Sequence, residues 1–420
     1  MTWTVESVRQ PFPRLETMRG QALDTLGSDP RPSFFSVANA SQIGLAAPES
    51  RGGIPVRSWV RSLAGMQKEA LVVNGATGLT WRLVSDEGPY LAGHDRAPCP
   101  LCHFITGMTA SYLSQIKSLS QSRAVPLEDV RLTLETWYTM EGSALQGTMT
   151  GGALDPRLAV EVASAAADAE IRDLVGHAVV ASPVHGLLTD PLDSLFTLQH
   201  NGEEAPVGRV QPLAAPPQPD PGDRFDHVEM AGAPLGHEMV SLLTPADSIQ
   251  GRPGGAGSSL QETQSRTLHV RAEGVVRPDG VTEIAQHLIS PIGSRFGFLS
   301  DEAPGFGGAG RAPDAVTFLS AGIGFCFMTQ FGRYASITRK RLDDYRIVQD
   351  THFYPGEDGS PGRMDPVETH VYLDSPESGE FARRTVDMGE QTCFLHATCR
   401  GQLGIGVDVS SHIESIPREP

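Results

Sequence analysis

Most of the chemistry this chain can offer rests on five cysteines: Cys99, Cys102, Cys326, Cys393 and Cys399. An odd count in a chain without an export signal points to redox, nucleophilic or metal chemistry rather than a disulfide framework. The opening MTWTVESVRQPFPRLETMRG lacks the apolar core of a signal peptide, so a cytoplasmic location is expected. The densest cluster is Cys99-Pro-Leu-Cys102-His103. Pro100 fits the first position of a helix, which places Cys99 at the N-cap and Cys102 in the first turn. Backbone amides at a helix start favour a thiolate. A C-x-x-C pair there is a redox or metal arrangement, and C-x-x-C-H is also the haem attachment signature. Soft thiolates plus imidazole suit zinc, iron–sulfur, copper or haem, so Cys99, Cys102 and His103 are candidate ligands, completed by the second-half cysteines. The bland alternative is a set of buried structural thiols, and Cys399 fits that reading best.

Other candidates are weaker. His185 and His396 read as hydrogen-bonded turn histidines, and His103 also fits a satisfied core position. Asp86-Glu87 and Asp301-Glu302 look like paired acids, but turn chemistry explains their recurrence. Gly305-Phe-Gly307-Gly-Ala-Gly310 satisfies G-x-G-x-x-G, yet its counterpart YLAGHD is not glycine-rich, and a dinucleotide site needs a parallel βαβ unit. The Arg339-Lys340-Arg341 cluster reads as a solvated helix end.

These residues must be held by a sizeable fold. At 420 residues, two or three domains are expected, at about 100–200 residues each. The 39% hydrophobic and 20% charged composition suits a folded protein. A net charge of −17, from 50 acids against 33 bases, argues against nucleic acid or an anionic membrane as partner. No apolar run approaches about 18 residues, so no membrane span is expected.

The chain repeats itself. SDEGPYLAGHDRAP from Ser85 matches SDEAPGFGGAGRAP from Ser300, an offset of 215. Leu127, Asp129 and Arg131 recur as Leu342, Asp344 and Arg346. Ser182-Pro-Val-His185 matches Cys393-Phe-Leu-His396. Such a long period is a duplication, not a solenoid. Residues 1–50 read as an irregular leader packed on the body, 51–202 as one domain, 203–265 as a Pro/Gly-rich linker and 266–412 as a second domain. Each half predicts a strand hairpin (57–81; 266–298), then a Gly/Pro loop and a buried helix (97–122; 312–338). Strands follow at 130–138 and 158–164, matched by 345–353 and 368–374. A second helix (167–178; 379–391) and a last strand (194–199; 403–409) complete each half. The class is α+β, with a strongly bent antiparallel sheet around one buried helix.

That order of residues resembles the OsmC-like family, which includes the organic hydroperoxide resistance proteins. The quoted motifs are DEAPGFGGAGRAP, LSAGIGFC ending at Cys326, RLDDYRI from Arg341 and CFLH from Cys393. The first half repeats the frame in DEGPYLAGHDRAP and AVPLEDVRL, with Ser111 and Ser182 at the cysteine positions. The resemblance implies two tandem copies forming an intramolecular pseudo-dimer, free to oligomerise again. It implies that Cys326 attacks a peroxide oxygen and that Cys393 resolves the sulfenic acid as a disulfide, which a dithiol then reduces. That reading requires no cofactor; Cys99 and Cys102 are then candidate relays of reducing equivalents. The family's polarising arginine matches Arg271, or Arg61, loosely. Its helix glutamate falls at Thr317 and Cys102, where no acid stands. A catalytically silent binding module is the third reading.

Overall fold

The computed structural model describes residues 24–232, 235, 238–246 and 259–411. In chain order, the first half holds α1 (Thr25–Ser28), β1 (Phe35–Ser36), β2 (Ile54–Ser62), β3 (Lys68–Asn74) and β4 (Thr80–Ser85). The long helix α2 (Pro100–Arg123) follows, then β5 (Asp129–Ser143), β6 (Thr150–Ala153) and β7 (Arg157–Ala163). Helices α3 (Asp168–Ala181) and α4 (Pro183–Thr189) lead to β8 (Ser194–His200), β9 (Glu203–Ala205), β10 (Gln211–Pro212) and β11 (Val240–Thr244). The second half runs through β12 (Thr263–Val276), β13 (Thr282–Ser290), β14 (Arg295–Ser300) and the long helix α5 (Ala315–Thr338). It closes with β15 (Asp344–Tyr354), β16 (Arg363–Met364), β17 (Val367–Asp374), α6 (Gly379–Thr392), α7 (Phe394–Arg400) and β18 (Gly406–Ser410).

Each half contributes to both sheets. The first sheet runs β1-β4-β3-β2-β15-β17-β8-β10 and the second β11-β14-β13-β12-β5-β7-β18. The joins are long antiparallel ladders, Thr263↔Ser143 to Val275↔Arg131 in one sheet and Arg346↔Arg61 to Phe353↔Ile54 in the other. The sheets are mixed rather than wholly antiparallel, because β8 joins β17 and β18 joins β7 in parallel. Parallel neighbours need a long crossover; here the partner strand comes from the opposite half, which no local pattern reveals.

The two long helices cross at their glycines. A Cβ on Gly107 would lie 2.7 Å from the Leu319 backbone nitrogen, and one on Gly322 would lie 2.9 Å from that of Phe104. Only a missing side chain permits that approach. Helix α5 is long and apolar enough to cross a membrane, but 94% of its apolar stretch is buried inside the protein. Thus one run does meet the membrane-span criterion that the sequence reading took to be unmet, and packing explains it. Phe318, Leu319, Ile323, Phe325, Phe327 and Phe331 are fully buried in a core that spans both halves, each contributing about 1.5–3 kcal/mol.

The described part of the leader and of the presumed linker covers the outer face of the first sheet. Phe35, Val37, Leu45 and Phe225 pack there on Trp59, Leu71, Val348 and Tyr372. Every residue of β3 is therefore buried, including Lys68 and Glu69. Residues 203–246 also add β9, β10 and β11 to the sheet edges. Residues 1–23 and 247–258, read as leader and linker, lie outside the described residues.

Candidate functional site

The site begins with two copies of one loop. Ser85 Oγ donates to the Pro98 carbonyl, as Ser300 Oγ does to Pro313, both at 2.9 Å. Asp86 accepts from the amides of Glu87, His94 and Arg96, and Asp301 from those of Ala309 and Arg311. The first acid of each pair is thus turn chemistry, as its recurrence suggested. Gly93 and Gly308 press on the carbonyls of Glu87 and Glu302, where a Cβ would sit within 1.7 and 1.8 Å. This loop delivers Cys99 to the N-cap of α2, with Pro100 behind it. It also turns the second acid, Glu87, inward.

Glu87 is the residue that turn chemistry did not explain. It is buried and accepts from Tyr90 Oη at 2.6 Å and Thr329 Oγ1 at 3.2 Å. Burial raises its pKa, and the charge of Lys68 opposes that shift. Lys68 is itself fully buried, donates to the Met66 carbonyl at 2.6 Å, and has its pKa pulled down to about 8 by desolvation. No acid stands at Thr317 or Cys102; the buried carboxyl of this cavity, Glu87, comes from a different segment.

Helix α5 supplies the other wall. Cys326, Thr329, Gln330 and Arg333 fall at i, i+3, i+4 and i+7, one stripe of an otherwise apolar helix. With Glu87, Tyr90, Cys99, Arg266 and Phe394 they line a small cavity of about 30 Å³, room for about two waters. Arg333 donates to the Ser259 carbonyl at 2.7 Å and to Gln330 Oε1 at 3.2 Å. Arg266 donates to Ser259 Oγ. Yet Arg266 Nε and Arg333 Nη2 are buried without any acceptor. Burial, with Arg266 beside it, lowers the Arg333 pKa to about 9.

The sulfurs form two pairs. The Cys393 thiol and the Leu395 amide both act on the ionisation of Cys326. Burial, then Cys393, pushes its pKa well above the usual thiol range, while the Leu395 amide opposes the rise. Cys393 caps α7, its sulfur accepting from the His396 amide at 3.5 Å. Cys99 and Cys102 place their sulfurs 3.0 Å apart. Contrary to the expectation for a helix start, burial raises the Cys102 pKa well above its ordinary value. Cys99 and Cys326 share the cavity; Cys393 stands behind Cys326.

Several candidates lie elsewhere. His103 packs between Phe298, Phe318 and Phe325, with Nε2 at 3.0 Å from the Val84 carbonyl. Burial lowers its pKa to about 3, so it is a neutral core histidine. Among the described residues, no group of three or more His, Cys, Asp or Glu side chains is gathered to hold a metal. Arg271 lies on an exposed strand face, paired with Glu273 at 3.0 Å. Arg61 pairs with Glu69 at 2.6 Å and covers the Phe225 ring. The guanidiniums beside the thiols are Arg266 and Arg333. Sequence reasoning missed both, though a lone charge two turns after Cys326 in an apolar helix was a usable signal. His396 is buried on Phe327 and Phe196 with both ring nitrogens unpartnered, and burial lowers its pKa to about 4. Cys399 is buried, its pKa raised to about 12. A roomier surface cleft of about 220 Å³, at Arg209, Asp387, Glu390 and Arg400, is lined by no cysteine or histidine, and its cations are paired with its acids.

No protein-family model matches the chain, and no curated protein matches it. Among solved structures, an OsmC-like hydroperoxide resistance protein from Jannaschia sp. CCS1 aligns at 21% identity with a TM-score of 0.18. The alignment covers 30% of this chain and 81% of that one.

Proposed function

We propose that the chain is a thiol peroxidase, built as a fused pair of OsmC-like halves, that reduces an organic hydroperoxide at Cys326. One observation carries the reading: Cys326, with Cys393 acting on its ionisation, shares a cavity with two buried guanidiniums that keep unpaired N–H donors. Unpartnered buried donors cost about 1–3 kcal/mol each unless a ligand takes them. A peroxide oxygen with developing negative charge is such a ligand.

In the reaction, the Cys326 thiolate attacks the outer peroxide oxygen and the O–O bond breaks. The alkoxide takes a proton and leaves as an alcohol, and Cys326 becomes a sulfenic acid. Arg266 and Arg333 hold the oxygens, and Glu87 is the nearest buried carboxyl to exchange the proton. Cys393 then displaces water from the sulfenic sulfur and forms the disulfide. An external dithiol returns the two electrons. The cavity is too small for an alkyl hydroperoxide as it stands, so the wall beside Tyr90, Leu91 and Leu288 must part to admit one.

The test is thiol titration of anaerobically reduced protein before and after cumene hydroperoxide. The expected result is thiol loss together with peroxide consumption, both abolished in Cys326→Ser. Unchanged thiols and unconsumed peroxide would leave a non-catalytic binding module in its place.

A further inference from the structure

Cys99 and Cys102 are superfluous to a Cys326–Cys393 couple, yet they are built into the same site. Their sulfurs lie 3.0 Å apart, closer than two non-bonded sulfurs ordinarily rest. Cys99 lines the same cavity as Cys326. Glu87 and Tyr138 interact electrostatically with sulfurs of both pairs. The duplicated frame does not demand these thiols, since their counterparts are Asp314 and Thr317. Access supplies a second argument. Cys326 is 2% exposed and Cys393 0%, whereas Cys99, at 7%, is the most open of the four. Cys99 is therefore the sulfur most accessible to an external dithiol.

We propose that Cys99 and Cys102 are a second redox couple that draws the disulfide off Cys326–Cys393 and presents it to the reductant. The inference rests on the peroxidase reading above. Cys99, as thiolate, attacks Cys326 of the Cys326–Cys393 disulfide; a Cys99–Cys326 bond forms and Cys393 leaves as a thiolate. Cys102 then attacks Cys99, forming the Cys99–Cys102 disulfide and expelling Cys326. Two electrons pass from Cys99 and Cys102 to the Cys326–Cys393 pair. The two protons lost by Cys99 and Cys102 are taken up by Cys393 and Cys326, with Glu87 between the pairs as carrier. An external small dithiol reduces the Cys99–Cys102 disulfide and is itself oxidised.

The experiment is stoichiometric. Fully reduced protein is mixed anaerobically with excess cumene hydroperoxide and no added thiol. If electrons move between the pairs, the protein consumes two equivalents and loses four of its five thiols, with Cys399 left alkylatable. Cys102→Ser then consumes one equivalent. A second variant guards against misfolding of the first. In Cys102→Ser/Cys393→Ser, whose secondary structure is checked by circular dichroism, a Cys99–Cys326 disulfide should form and be found by peptide mapping. One equivalent consumed by the wild type, with Cys99 and Cys102 still alkylatable, overturns the relay and leaves the peroxidase standing. No mixed disulfide in the folded double variant also overturns the relay. No peroxide consumption at all overturns both.

Discussion

The thiol site has a counterpart across the molecule, built from the matched residues of the other half. Where Cys326 faces Cys393, Ser111 Oγ lies 2.8 Å from Ser182 Oγ. Where Cys99 caps α2, Asp314 caps α5, accepting from the Thr317 amide at 2.8 Å and from Asn74 Nδ2 at 2.6 Å. Glu302 stands for Glu87, its pKa raised to about 8 by burial and by Asp314. Gln115 and Ser118 stand for Gln330 and Arg333. The second site therefore keeps the inward carboxyl and the helix start, but has neither thiol nor guanidinium. A hydrogen-bonded serine pair with no adjacent base is not a nucleophile. One hydroxyl donates to the other, and Ser182 Oγ also accepts from the Val184 amide, as in a structural polar cluster. The contrast shows that scaffold and chemistry separate cleanly: the same loop and helix crossing support either outcome, and five or six side chains decide which.

The contrast yields four further measurements. The largest effect is expected from Arg333→Met, which removes one of the two guanidiniums that line the thiol cavity. The rate of hydroperoxide consumption should fall by about 100-fold, while the thiol content stays the same. A loss below about threefold would remove the guanidinium from the proposed clamp. The reverse graft, Ser111→Cys with Ser182→Cys, should give a pair that closes as a disulfide with diamide. Assayed in a Cys326→Ser background, it should restore less than about a tenth of the wild-type peroxide rate, because that site has no arginine. Recovery of full activity would show that the thiols alone suffice.

Gly322→Ala tests the crossing both sites share. Its Cβ would lie 2.9 Å from the Phe104 backbone, so urea unfolding should show a loss of about 1–3 kcal/mol. Gly107→Ala should behave alike, since it meets the Leu319 backbone at 2.7 Å. If both variants are as stable as wild type, the helices are not held by close backbone contact.

The smallest effect is in pH dependence and separates the two carboxyl sites, since only Glu87 has a buried lysine beside it. Lys68 has a pKa of about 8 when folded, against 10.5 as its ordinary value. Between those values the unfolded chain holds the extra proton, so this residue's contribution to stability rises with pH. In stability measured from pH 8 to 10.5, wild type should gain on Lys68→Met by at most about 1.4 kcal/mol per pH unit. Parallel curves would mean that Lys68 does not titrate there.

Much of the fold was legible because it is local. The 215-residue echo of the SDE loop, the proline-opened helices and the small-residue face of α5 are patterns written within single segments. The observed α5 at Ala315–Thr338 and α6 at Gly379–Thr392 fall within a few residues of their expected spans. The paired positions of Cys326 and Cys393 were legible only through the motif resemblance. What composition and period could not show was which segments meet. Arg271 was the natural choice for a polarising cation because it lies in the early strand, but strand alternation turns it to solvent. Arg266 is on the same strand and lines the cavity.

By itself, the sequence determined the recurring SDE loop, the element types and the presence of cysteine at 326 and 393 against serine at 111 and 182, since each is set by short-range periodicity and residue identity. Only the tertiary structure decided that β5 pairs with β12 and β15 with β2, so that each sheet is shared between the halves. That exchange brings Glu87, Tyr90 and Cys99 of the first half against Cys326 and Arg333 of the second. The physical reason is that these contacts join residues more than two hundred positions apart, through ladders and a glycine crossing that no local propensity encodes.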